Sequence, residues 1–112
     1  MQIETTVNTT YTLVRLKGSF TFSERNLFKE VVDKASQASC PRLIIDLHEV
    51  TFLDSAALGI LVLTHKRFTQ EQRKFCLLKP TDQGLKLLTI AGIQKIITVY
   101  RSEQEAAIGN AA

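Results

Sequence analysis

The stretch Arg42–Phe68, RLIIDLHEVTFLDSAALGILVLTHKRF, decides the fold because its hydrophobic period changes part-way along. Arg42–Leu47 is a short apolar run with β-branched Ile44 and Ile45, ended by the polar Asp46 and His48–Glu49. This pattern predicts a strand covered on both faces. From Ala56 onward, Ala57, Ile60, Leu61, Thr64 and Phe68 recur at three- and four-residue steps, the buried stripe of a helix. Between them, Asp54 or Ser55 can accept hydrogen bonds from the first free amides of that helix, so the pair reads as its N-cap. A serine at that point is also where a phosphate is electrostatically welcome.

Working outward, Gln2–Val7 and Tyr11–Lys17 form a predicted hairpin about the polar Asn8–Thr10. Gly18 is expected to end the second strand, and Ser23 to cap a helix carrying Leu27, Phe28, Val31, Val32 and Ala35 on one face. Pro41 stops that helix near Ser39. Beyond the central stretch, Lys74–Lys79 reads as a buried strand closed by Pro80. Thr81 or Asp82 then caps a helix with Leu85, Leu88 and Ala91 inward and Gly92 as its stop. Ile96–Val99 is a short last strand, and Ser102 with Glu105 has capping-box spacing before a final helix that frays into IGNAA.

The element order is thus β-β-α-β-α-β-α-(β)-α, an α/β fold with a mixed, mostly parallel sheet of four to five strands and about four helices. Crossover helices require parallel pairing with right-handed connections, but periodicity does not decide whether helices cover one face or two. The predicted core is Leu13, Leu16, Leu27, Val31, Leu43, Ile45, Leu47, Leu61, Leu77 and Leu88. Gly59, disfavoured inside a helix, is expected to serve close packing against the sheet.

Composition narrows the function classes. At 112 residues the chain is expected to be one domain, 1–112, able to bury a core without disulfides or metals. Its 45% hydrophobic and 22% charged residues are those of an ordinary soluble protein. No apolar run is long enough to span a membrane, and MQIETTVNTT has neither a basic n-region nor an apolar h-region, so a cytoplasmic location is expected. Cys40 and Cys76 lie far apart without ligand spacing and read as small buried hydrophobes. The net charge of +3 is mild, and His65–Lys66–Arg67 with Arg73–Lys74 bracket a helix end, where cations offset the dipole. Without a stacking platform or a recognised module, direct nucleic-acid binding is not expected. Asp46, His48 and Ser55 are the residue types of a hydrolase triad, but Ser55 lacks GxSxG surroundings, and neither GxxxxGK[ST] nor HExxH occurs.

The run DLHEVTFLDSAALG, residues 46–59, resembles the signature of the STAS domain, and most closely that of bacterial anti-sigma factor antagonists. Length, element order, the early Gly18 and the late LLTIAGIQKII agree with it across nearly the whole chain. The resemblance implies that Ser55 is phosphorylated by a partner that is both serine kinase and anti-sigma factor. It implies that the unphosphorylated form binds that partner and frees the sigma factor, and that a PP2C-type phosphatase resets the switch. By the same likeness, Ser19, Thr21, Phe22, Asp54, Ser55 and Ala56 are expected to face the partner; Phe20 and Phe22 are equally anchors or contacts. A monomer without cofactor, metal or catalytic residues is expected. Ala56 and Ala57 replace the second hydroxyl residue and the glycine of the family's usual motif, stiffening the first helical turn. Thr21 stands where many antagonists have an aspartate. These departures favour the alternative, a STAS module in a signalling scaffold or lipid-transport ATPase complex that binds without phosphorylation.

Overall fold

A computed structural model describes residues 1–38 and 40–109. Strands β1 (Gln2–Val7), β2 (Thr12–Phe20), β3 (Arg42–Leu53), β4 (Lys74–Leu78) and β5 (Thr98–Tyr100) form one sheet in the order β1-β2-β3-β4-β5. Helices α1 (Arg25–Gln37), α2 (Ser55–Gln70), α3 (Asp82–Ile90) and α4 (Glu103–Ile108) complete the described chain. β1 and β2 are antiparallel, joined by a turn in which the Asn8 carboxamide accepts from the amides of Thr10 and Tyr11 at 2.9 and 2.8 Å. The remaining pairs are parallel, as crossover helices require.

Because β2 to β5 are laid down in one direction, right-handed crossovers put α1, α2 and α3 on the same face of the sheet. Alternate strand residues Val14, Leu16, Leu43, Ile45, Leu47 and Leu77 meet Phe28, Val32, Leu61, Phe68 and Leu88 there in the main core. The intervening residues Leu13, Ile44, Cys76 and Leu78 form a smaller core on the other face with Tyr100 and with Ala106 of α4. The Tyr11 hydroxyl donates to Glu103 at 2.6 Å and ties α4 down. Helices therefore cover both faces, unequally.

Several expectations are corrected. β2 does not end at Gly18, whose φ of +96° lets the strand continue to Phe20 through register shifts against β3. β3 likewise runs past Leu47 to Leu53, pairing Ser19 with Phe52 and Phe20 with Leu53. Asp46 does not break it: buried, its carboxylate accepts from Arg15 Nε at 3.1 Å and from the His48 amide at 2.9 Å. His48 is an exposed residue of β3. β4 ends at Leu78, before Lys79 at φ +49°, and β5 begins only at Thr98. Leu27 and Leu85 are exposed and outside the core, and Ala91 is the exposed C-cap of α3, whose inward residue is Leu88. Gly59 is exposed on α2, and a Cβ there would meet nothing within 4 Å, so it does not pack against the sheet. α1 ends at Gln37 with Ala38 as its C-cap, next to the expected stop, whereas Ser39 itself and the fraying expected beyond Gly109 lie outside the described residues. Both cysteines are buried and free. Among the described residues no helix is long and apolar enough to cross a membrane.

Candidate functional site

The pairing of Phe20 with Leu53 brings the ends of β2 and β3 side by side, so the segments that follow leave the sheet as neighbours. Both anchors are buried, and Phe20 stacks on Phe28 of α1 with ring centroids 5.0 Å apart. Phe20 is thus the loop anchor of its pair, whereas Phe22 is 55% exposed.

After β2 the chain makes a short 3₁₀ turn, Phe22–Glu24, before α1. Ser23 does not cap α1, whose N-cap is Glu24 without a side-chain capping bond. Thr21 instead caps the 3₁₀ turn, in extended conformation, with its hydroxyl accepting from the Ser23 amide at 3.3 Å. The Glu24 carboxylate closes the capping box, accepting from the Thr21 amide at 3.1 Å and from its hydroxyl at 3.0 Å. The Glu24 carboxylate is thus turned back onto Thr21 itself. The T-x-x-E spacing was present in the sequence and is the signal that favours Thr21 over Ser23. The Arg25 guanidinium lies 3.9 Å from the centroid of the Phe22 ring and donates to the Phe22 carbonyl, holding the exposed ring in place.

After β3, Asp54 rather than Ser55 caps α2, its Oδ1 accepting from the Ala57 amide at 2.8 Å. Its Oδ2 accepts from the Phe22 amide at 3.0 Å, so one carboxylate fastens the turn after β2 to the start of α2. Ser55 is the first helical residue and is exposed. With the Ala57 amide bound to the Asp54 side chain and the Leu58 amide to the Asp54 carbonyl, the amides of Ser55 and Ala56 remain as the donors of the first turn. Ala56 is half-buried and the methyl group of Ala57 is fully inside the core, so at position 57 alanine packs where glycine would leave a void.

The structure thus gathers Thr21, Phe22, Asp54 and Ser55 through the Asp54 bridge and adds Glu24 and Arg25, which sequence reasoning passed over. Ser19 is exposed beside Phe52, on the strand face opposite Phe20. The triad types do not converge: the Asp46 carboxylate is committed to Arg15 and to a backbone amide rather than to the His48 imidazole. Among the described residues no group of histidine, cysteine and acidic side chains is arranged to hold a metal ion.

What the arrangement offers is an exposed hydroxyl at the positive end of a 16-residue helix, beside a fixed exposed aromatic ring. The dipole and the free amides of that first turn favour a negative group at this position.

Comparison with known proteins is consistent over almost the whole chain. The family model described as STAS domain matches residues 2–106. An anti-sigma F factor antagonist of Paenibacillus polymyxa is 25% identical over 107 residues, covering 95% of this chain and 92% of that protein. The fold is that of an anti-sigma factor antagonist from Mycobacterium paratuberculosis, with a TM-score of 0.85 at 20% identity over 96% of this chain and 92% of the other. It is also that of the Bacillus cell fate determinant SpoIIAA in the phosphorylated form, with a TM-score of 0.70 at 20% identity over 99% of this chain and 98% of the other.

Proposed function

Because the chain belongs to the STAS domain family, we propose that it is an anti-sigma factor antagonist that works by partner switching. Unphosphorylated, it binds an anti-sigma factor that is also a serine kinase, and the sigma factor is released. Phosphorylation of Ser55 ends that binding, and a PP2C-type phosphatase restores it. The observation that carries this reading is the placement of Ser55, exposed at the first position of α2 and tied through Asp54 to the exposed Phe22. The relatives named as antagonists support it.

A phosphate adds about −1.5 to −2 charges at the helix N-terminus, where two free amides and the dipole receive it, so the free protein keeps its fold. In a partner interface the same group must be desolvated or meet a like charge, and each ~1.4 kcal/mol so lost weakens binding tenfold. The exposed ring of Phe22 and the hydroxyl of Ser55 are the contacts on which that loss falls.

The test is the mass of the Ser55-containing peptide recovered from the host, together with the affinity of Ser55→Asp for the kinase. Stoichiometric phosphate on Ser55, absent in Ser55→Ala, and a large loss of affinity in Ser55→Asp are expected. If the peptide is never modified and Ser55→Asp binds as wild type does, the switch is wrong. The second reading, a module that binds without phosphorylation, would then stand; the buried methyl of Ala57, which stiffens the first turn against reshaping in a kinase site, favours it.

A further inference from the structure

Resting on the partner-switching reading, we propose that the groove between α1 and α2 seats an acidic amphipathic helix of the partner protein. The groove holds about 310 Å³ and takes in Leu63 from the exposed side of α2. Its floor is apolar, with Phe28 and Ile60 beneath and Leu63 65% exposed beside them. Every charged residue on its walls is a cation: Arg25, Lys29 and Arg67. Lys29 and Arg67 share Asp33, and Arg67 also meets Glu71 at 3.3 Å, whereas Arg25 stacks on Phe22 and has no carboxylate partner among the described residues.

An occupant that matches this surface carries apolar side chains flanked by carboxylates. A helix fits between two helices because its backbone is already hydrogen-bonded and only its side chains must meet the floor. Gly59 points the same way. It sits on the exposed side of α2, one turn after Ser55 and one before Leu63, where a Cβ would meet nothing within 4 Å. The fold gains nothing from the absent side chain, and glycine lowers helix propensity, whereas a partner passing close to α2 needs that space. Ser55, Gly59 and Leu63 therefore form one stripe, and a phosphate at its head repels an acidic helix along the rest.

The probe is a synthetic amphipathic helix of about 18 residues with a leucine stripe flanked by glutamates, long enough to hold a few turns. Its lysine-flanked counterpart is the control, and binding is followed by fluorescence anisotropy. The acidic helix is expected to bind wild type at least about tenfold more tightly than the basic one, and to weaken as salt rises from about 0.05 to about 0.5 M. Leu63→Asp and Lys29→Glu should each weaken it about tenfold. Gly59→Ala should also weaken it while raising the melting temperature, opposite signs that misfolding does not produce.

Equal binding of the two helices, or none of either, overturns the proposal. So does a dimer in sedimentation that Leu63→Asp dissolves, because a second copy then fills the groove. The two readings separate at Ser55. Acidic-helix binding that survives Ser55→Asp overturns the coupling of the groove to Ser55 while leaving the groove, and kinase binding lost in Ser55→Asp but intact in Leu63→Asp keeps the switch and overturns the groove.

Discussion

The carboxylate of Asp54 accepts a hydrogen bond from the backbone amide of Phe22 at 3.0 Å across 32 residues of sequence. Its other oxygen caps α2 at the Ala57 amide. A single side chain thus sets both the start of the helix that bears Ser55 and the turn that bears the exposed ring. Asp54→Ala removes both bonds and is expected to cost about 1–2 kcal/mol, read as a lower urea midpoint with an unchanged slope. Asp54→Asn keeps the cap and should recover most of that loss.

Ser55 makes no such contact, because the capping role belongs to Asp54. Ser55→Ala should therefore shift stability by no more than about 0.5 kcal/mol in the same measurement. A larger loss would mean that Ser55 has a structural role.

Placing a negative charge at the first helical position complements the dipole. Ser55→Asp is expected to stabilise the free protein by about 0.3–1 kcal/mol at low ionic strength, and the gain should shrink as salt is added. Loss of partner affinity in a variant more stable than wild type separates a switch from a folding defect.

The two aromatic residues of the turn should respond oppositely. Phe20 is fully buried against Phe28, so Phe20→Ala should cost about 3–5 kcal/mol and threaten folding. Phe22 meets the Arg25 guanidinium at the surface, and Phe22→Ala should cost less than about 1 kcal/mol. Its effect is expected in partner affinity measured by calorimetry.

Burial beneath α4 pushes the Cys76 thiol up to about 11 from 9.0. The folded state favours the protonated thiol, so this contribution is fully present below the unfolded value and is lost as pH rises through about 11. Native Cys76 should be inert to thiol reagents at neutral pH. Between the two values wild type should lose on the order of 2 kcal/mol more stability than Cys76→Ala, as urea titrations at several pH values would read.

Local pattern was enough for the element order. The change of period between Leu47 and Ala56, the Asn8–Thr10 turn, the stop at Gly92 and the Ser102 cap each follow from interactions within a few residues, and each stands where expected. Strand lengths were not legible in the same way. Nothing near Asp46 in sequence reveals that Arg15 will neutralise it in a buried strand, and nothing near Gly18 reveals that β3 will extend to meet Phe20. Leu27 and Leu85 fit an apolar stripe by spacing, yet the neighbouring elements leave them in solvent.

The candidate site divides along the same line. The DSAALG run marked Ser55 and its helix, because capping and dipole chemistry act within one turn. Tertiary structure alone decided that Asp54, and not Ser55, is the cap, and that its second oxygen reaches Phe22. It also left Gly59 exposed on α2, where a Cβ would meet nothing within 4 Å. The physical reason is that a backbone amide is equally available at every non-proline residue, and only parallel pairing of β2 with β3 delivers that of Phe22 to this carboxylate.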